Sequence, residues 1–373
     1  MNDPVTLPGA NLGALRDHNA AVLLGLLRDA GERGASRTEL AGRTGLTPQA
    51  VSKIAARLRA AGLATEAGRR ASTGGKPATA LRLVPEAARA IGLHLDRDSV
   101  TATLVDLAGT ALATRSAPLA FGAGAEAVLD AVAAEVAALP AAPGALLGAG
   151  VAAPGPLDHR AGVLHRVTGF PQWDGFPLRD ALAARLGLPV VLDKDTNAAA
   201  LGLVLRAPRD AGSFAYLHLG TGLGAGLVLG GRVHRGARTG AGEFGHQVLR
   251  LDGPACPCGR RGCLEALCLR AVADGDTALA ARLLGTGAAN LVQLLDIDRV
   301  LLGGGTVLAG PDPYVHGVRA ELPATVPVAV TPAGARTVVE GAAELVLAPL
   351  FGRSGHAFAL RSDETTISSS GGI

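Results

Sequence analysis

Apolar residues at Val22, Leu23, Leu26 and Leu27 recur at the three- and four-residue steps of a half-buried helix and predict one from Asn19 to Asp29. A second helix is predicted to open at Ser36, whose hydroxyl caps the first turn while Glu39, three residues on, reaches back. Thr44-Gly45-Leu46 supplies a corner, with the glycine free to adopt positive φ. Thr47 then caps a third helix and Pro48 takes its first position, where a missing N–H removes no bond. That helix puts Val51, Ile54, Ala55 and Leu58 on one stripe and Gln49, Ser52, Lys53 and Arg57 on the other. Behind it, AAGLATEAGRRASTGGKPATALRLV reads as a strand, a basic tip and a return strand, which is a hairpin wing. Residues 1–85 are therefore predicted to form a winged helix-turn-helix domain.

From Ala90 onward the pattern changes to strands mixed with helices. IGLHLDRDSVTATLVDLAGTALAT predicts two hairpin-connected strands, and LLGAGVAAPGPLD a strand running into a loop. A helix follows near 178–187, then the strand PVVLD, then a loop and helix in KDTNAAALGLVL. SFAYLHLGTGLGAGLVLGGRVHRG predicts a glycine-rich hairpin, and DRVLLGGGTVLAG a strand, a glycine turn and a helix start. This is the pattern of an α/β domain of two lobes with a cleft between them, spanning 86–360 with the lobe boundary near 195–205. The polar segment 361–373 is expected to be a disordered tail.

Composition changes the picture in two places. A chain of 373 residues exceeds one ordinary core, in keeping with separate domains. No basic-then-apolar leader precedes the first helix, and the alanine-rich stretch 127–153 is broken by Glu135, Pro140 and Pro143, so a soluble cytoplasmic protein with no membrane segment is expected. Charge is uneven: residues 1–85 carry 12 Lys+Arg against 6 Asp+Glu, whereas the remainder carries 23 against 26. A basic front on a helix-turn-helix implies operator DNA as partner. Gln49, Ser52 and Lys53 are the candidates for base readout. Arg37, Thr47 and Arg57, with Arg69, Arg70 and Lys76 of the wing, are the candidates for the remaining DNA contacts, the wing residues gripping phosphates.

The densest chemistry lies further on. CPCGRRGCLE places Cys256, Cys258 and Cys263 within eight residues, shortly after His246 in GAGEFGH. Thiolate and imidazole suit Zn²⁺, and four such ligands close a tetrahedral structural site with no position for a catalytic water. Gly259 and Gly262 supply the turns that gather the thiols. Cys268 falls outside the spacing and is expected in a core. Clustered cysteines at metal spacing also fit a reducing compartment better than a disulfide framework.

Four segments in order, DKDTNAAALG at 193–202, LHLGTGLGAGLVLGGRVHRGARTGAGEFGH at 217–246, CPCGRRGCLE at 256–265 and VLLGGG at 300–305, resemble the ROK family of repressors, open reading frames and sugar kinases. The front module, through SRTELAGRTGLTPQAVSKI and GGKPA, is similar to the winged helix that the family's regulators carry and its kinases lack. The resemblance implies a two-lobed actin-like ATPase (ribonuclease H-like) fold. It also implies that Asp195 stands where the kinases hold the base for a sugar hydroxyl, and that Glu243, His246 and Glu265 face the sugar. Where the kinases carry a DxGxT phosphate loop, this chain has Asp96-Arg97-Asp98-Ser99, two carboxylates and bulky side chains in place of glycines that let backbone N–H groups approach phosphate. Lys194 replaces an asparagine that usually precedes the aspartate, and Gly169 aligns with another. The expected protein is a non-catalytic regulator, a homodimer or homotetramer, sensing a sugar or a sugar phosphate drawn by Lys194. A DNA-binding sugar kinase, or a regulator with a vestigial pocket, is the alternative.

Overall fold

The computed structural model describes residues 12–69, 79–206 and 212–352. The front module consists of α1 (Leu12–Ala30), β1 (Ala35–Ser36), α2 (Arg37–Thr44), α3 (Pro48–Ala60), β2 (Ala64–Arg69) and β3 (Thr79–Leu83). Helix α1 starts seven residues before the amphipathic pattern does, because the sequence ahead of Asn19 contains no proline after Pro8 to stop helical backbone. The capping box forms as drawn: Ser36 Oγ accepts from the Glu39 amide at 3.2 Å, and Glu39 Oε2 accepts from the Ser36 amide at 2.7 Å. Gly45 ends α2 in the left-handed region at φ 70°, and Thr47 Oγ1 caps α3 through the Ala50 amide at 3.2 Å. Each such cap is worth about 1 kcal/mol. The three strands order β1-β3-β2, all antiparallel, with β2 and β3 as the wing. Positions 70–78 lie outside the described residues, and so do the predicted contacts Arg70 and Lys76 and the side chain of Arg69.

The first lobe is built from β4 (Ala88–Leu95), β5 (Ser99–Asp106), β6 (Ala111–Pro118), α4 (Ala125–Ala137), β7 (Ala145–Ala153), β8 (Leu157–Asp158), β9 (Val163–Leu164), α5 (Leu178–Leu186) and β10 (Val190–Lys194). Helix α6 (Asp195–Arg206) carries the chain to the second lobe. There follow β11 (Phe214–Leu219), β12 (Leu223–Leu229), β13 (Arg232–Val233), α7 (Leu264–Ala273), α8 (Thr277–Leu295), β14 (Arg299–Gly303), α9 (Gly305–Ala309), α10 (Pro311–Ala320) and β15 (Val328–Val330). Helix α11 (Thr337–Leu347) then returns to the first lobe. The sequence pattern predicted two strands where β4, β5 and β6 stand. The third escaped it because β6 is an edge strand, mostly exposed on both faces, and shows no apolar alternation.

The two lobes share one topology. Their sheets order β6-β5-β4-β7-β10 and β13-β12-β11-β14-β15, which in chain order is 3-2-1-4-5 in both. In both, strands one to three are antiparallel and strands four and five run parallel to the first. This duplicated sheet is the actin-like fold. Between the sheets lie α11, packed on β4 and β7, and α6, packed on β12, with α6 and α11 against each other. Glycines make the contact possible. A Cβ on Gly92 or Gly150 would collide with carbonyls of α11, one on Gly341 with the Ala198 carbonyl of α6, and one on Gly226 with the Thr196 carbonyl. Helix α8 is apolar and long enough to cross a membrane, but it packs against α7 and α10 as part of the second lobe's core.

Candidate functional site

Strand β10 ends, and α6 begins, at the mouth of the cleft, and this places Lys194 and Asp195 there. The junction is anchored from below by Asp193, a residue the sequence reading passed over. Its buried carboxylate accepts from the Lys194 amide at 2.8 Å, from Asn197 Nδ2 at 3.0 Å and from Arg235 Nε at 2.6 Å. Lys194 is 3% exposed, and its ammonium donates to the Ala241 carbonyl at 2.7 Å and to Glu243 Oε1 at 3.1 Å. Its charge is thus neutralised within the protein. Next to it Thr239 is held at φ 57°, unusual for a β-branched residue, with its hydroxyl 2.7 Å from His159 Nδ1. The loop from Arg235 to Glu243 is in this way tied to the first lobe at Asp193, Lys194 and His159.

A pocket between the lobes gathers Lys194, Asp195, Glu243, His246 and Glu265, the five residues singled out for ligand contact. Glu265, in the first turn of α7, accepts from the Leu223 amide at 2.8 Å and joins the cysteine-rich loop to β12. Thr168, rather than Gly169, lines the wall from its segment. Thr196 also lines the pocket, buried, its Oγ1 without a hydrogen-bond partner among the described residues. His218 reaches it from β11, with Nδ1 2.9 Å from the Tyr216 hydroxyl; the two residues share a face of the strand by their spacing of two. That alternation in FAYLHL was the signal available in the sequence.

At the pocket's far end, Asp96 and Arg97 bridge the lobes. Thr221 Oγ1 donates to Asp96 Oδ1 at 2.9 Å, and Arg97 Nη1 donates to the Thr221 carbonyl at 3.3 Å. Burial works against ionisation of Asp96, but the His94 ring, the Arg97 amide and the Thr221 hydroxyl together hold its carboxyl below the usual range. Burial depresses the pKa of His94, against the pull of the Asp195 and Asp96 carboxylates. The His94 and His218 rings stand edge to face, centroids 6.5 Å apart.

His246, Cys256, Cys258 and Cys263 converge. Their ligand atoms lie within 4.8 Å of one another, with Cys256 Sγ 3.7 Å from His246 Nδ1 and Cys258 Sγ 3.6 Å from Cys263 Sγ. Ligands about 2.3 Å from a tetrahedral ion stand about 3.7 Å apart, so this donor set fits Zn²⁺. Burial pushes the Cys256 thiol up to about 12, and a cation is what would keep it a thiolate. Nδ1 of His246 faces the thiols, while Nε2 lies 4.0 Å from Glu243 Oε2 at the pocket. One ring can serve a metal and a ligand at once. Cys268 sits in the second lobe's core, fully buried.

On the front module, Gln49, Ser52, Lys53 and Arg57 are exposed along α3, opposite buried Val51, Ala55 and Leu58. Thr47 is exposed at its cap, Arg57 lies 3.8 Å from Asp17, and Arg37, first in α2, is half-buried.

The family model described as ROK family matches residues 90–271. The xylose repressor of Bacillus spizizenii is 28% identical over 234 residues, 62% of this chain and 60% of the repressor, so the match spans less than two thirds of that relative's length. A ROK hexokinase from Thermus thermophilus is 34% identical at a TM-score of 0.54, over 68% of this chain and 96% of the hexokinase. A ROK family transcriptional regulator, described as a homolog of the E. coli MLC protein, superposes at a TM-score of 0.72 over 90% of this chain and 98% of its own, with 22% identity.

Proposed function

The chain belongs to the ROK family, and from that premise we propose that it is a cytoplasmic transcriptional repressor: its winged helix binds operator DNA and its two-lobed domain senses a carbohydrate without phosphorylating it. The observation that carries this reading is the pairing of two features in one chain. An α3 with exposed Gln49, Ser52, Lys53 and Arg57 stands in front of a sugar-kinase scaffold whose nucleotide end is crossed by Asp96 and Arg97. A triphosphate entering there would have to displace both lobe-to-lobe contacts and approach Asp98, which stands where the phosphate loop has its glycine.

Asp195, Glu243 and Glu265 accept hydrogen bonds from ligand hydroxyls, and Nε2 of His246 adds a polar contact. His246, Cys256, Cys258 and Cys263 would hold Zn²⁺ as a closed structural site, and the ion would serve to fix that wall of the pocket. A free sugar suits this end of the site better than its phosphate, because the charge of Lys194 is already met by Glu243. Two copies of the chain read the two halves of a symmetric operator, half-sites about 34–36 Å apart per helical turn. Ligand that closes the lobes changes the spacing of the two α3 helices and lowers DNA affinity by a coupling of about 1–3 kcal/mol.

Capture of DNA from a random-sequence pool by the full-length protein tests the reading, with enrichment of a two-fold-symmetric site expected. Capture without sequence preference would sink it. The relation to sugar-phosphorylating relatives makes kinase activity the second reading, and ADP release over a panel of sugars decides between them: no turnover above background is expected.

A further inference from the structure

We infer that Arg28 and Glu344 form the strut through which the front module reads the state of the pocket, a positioning role that rests on the regulator reading above. Arg28 stands in the last turn of α1, and three parts of the two-lobed domain hold it. Its guanidinium is bidentate to Glu344 on α11, Nη1 to Oε2 at 2.9 Å and Nη2 to Oε1. Its Nε donates to the Ala108 carbonyl in the β5–β6 turn at 2.9 Å, and the group lies 4.7 Å from the centroid of the Phe351 ring. Glu344 is fully buried. The turn leaves room for the pair only because residue 109 is glycine: a Cβ there would collide with both Arg28 Nη2 and Glu344 Oε1.

From Glu344 the path to the pocket runs through backbone contacts. One turn back along α11, Gly341 rests on the Ala198 carbonyl of α6, and Gly202 of α6 rests on Gly341 in turn. Ala198 belongs to the first turn of α6, which begins with Asp195 and Thr196 at the pocket. Thr196 itself is seated by its carbonyl on Gly226 of β12. At contacts of this kind no side chain can rotate to absorb a displacement. A ligand that moves the start of α6 therefore moves α11 with it. Around the pair, Leu23, Leu24 and Leu27 of α1 join an apolar cluster that also holds Leu347 and Phe351, and apolar packing of this kind is non-directional and tolerates small slides. The buried ion pair does not, because a Glu344 carboxylate parted from Arg28 is an unpaired buried charge.

Coupling is reciprocal: if the pocket acts on the pair, breaking the pair acts on the pocket. Amide hydrogen exchange on the full-length protein tests this without any DNA or sugar. Arg28→Lys and Glu344→Gln are compared with Leu40→Ala, which loosens the apolar cluster that the front module shares with α11 while leaving both partners of the ion pair in place. Exchange across the first two turns of α6 is expected to rise about ten-fold in the first two variants and to stay at the wild-type rate in the third. Wild-type exchange in α6 for both Arg28→Lys and Glu344→Gln overturns the inference, as does an equal rise in all three. Arg28→Lys keeps the charge and carries the test if Glu344→Gln does not fold. Failure of the protein to select DNA would refute the regulator reading and leave the exchange result to decide the strut.

Discussion

At the scale of single residues, the site is governed by where charge can and cannot be relieved. Cys256, Cys258 and Cys263 with His246 form a donor set that a cation completes, and Cys258→Ser is expected to abolish stoichiometric zinc in the purified protein and to lower its thermal midpoint. Metal analysis of the two proteins side by side checks it; equal zinc content would remove the ion from this account. His94 supplies a pH dependence. Its folded pKa lies below the ordinary 6.5, so between those two values the unfolded chain binds more protons than the folded one. The stability that neutral His94 contributes is present above about pH 6.5 and is lost as pH falls through the folded pKa. His159 is depressed in the same direction, again chiefly by burial. Thermal midpoints followed from pH 7.5 to pH 5 are therefore expected to fall, and to fall less steeply in His94→Gln, where one of the two histidines is removed. A variant as pH-sensitive as the parent would show that His94 does not titrate within that window.

At the scale of elements, small residues decide which helices can meet. Helices α6 and α11 approach backbone to backbone at Gly202 and Gly341, and α11 is seated on Gly92 and Gly150 of the first sheet. Gly341→Ala forces a methyl onto the Ala198 carbonyl and is expected to destabilise by about 3 kcal/mol or more. Gly42→Ala is its control: that glycine lies exposed within α2 with open space around it, and alanine there is expected to stabilise by about 0.5–1 kcal/mol. Denaturant melts of both variants give the comparison, and two losses of similar size would mean that the close approach is not what constrains α6 against α11. The helix boundaries of the front module, by contrast, are specified locally. Ser36 with Glu39, Gly45, and Thr47 with Pro48 each fix a boundary through bonds within four residues.

At the scale of the molecule, the front module does not own its core. Leu23, Leu24, Leu26 and Leu27 of α1, with Leu40, Val51 and Leu58, are buried in one cluster with Ala88, Ala90, Val105 and Leu107 of the first lobe and Ala343, Leu347 and Phe351 near the end of the described chain. A boundary at residue 85 divides two topologies and cuts through this shared interior. A fragment ending at 85 is expected to melt without a sharp transition and to bind a fluorescent apolar dye, while the full-length protein does neither at the same temperature. Cooperative unfolding of the fragment would show that α1, α2 and α3 suffice. The arrangement sets the Arg28–Glu344 pair at the edge of an interior that the front module and α11 share.

What the chain declared unaided was whatever is written in near neighbours. The caps of α2 and α3, the cysteine spacing, the glycine-rich hairpin of β11 and β12 and the ordered family segments all depend on residues a few positions apart. What only the folded molecule decided was pairing across long separations. Asp193 with Arg235, Lys194 with Glu243, Asp96 with Thr221 and Arg28 with Glu344 join residues between 42 and 316 positions apart. Side-chain type and spacing carry no record of such partners, because the geometry that unites them is set by two sheets and the two helices wedged between them. Lys194 shows the difference: in the sequence it is a cation free to attract phosphate, and in the fold its charge is already answered by Glu243.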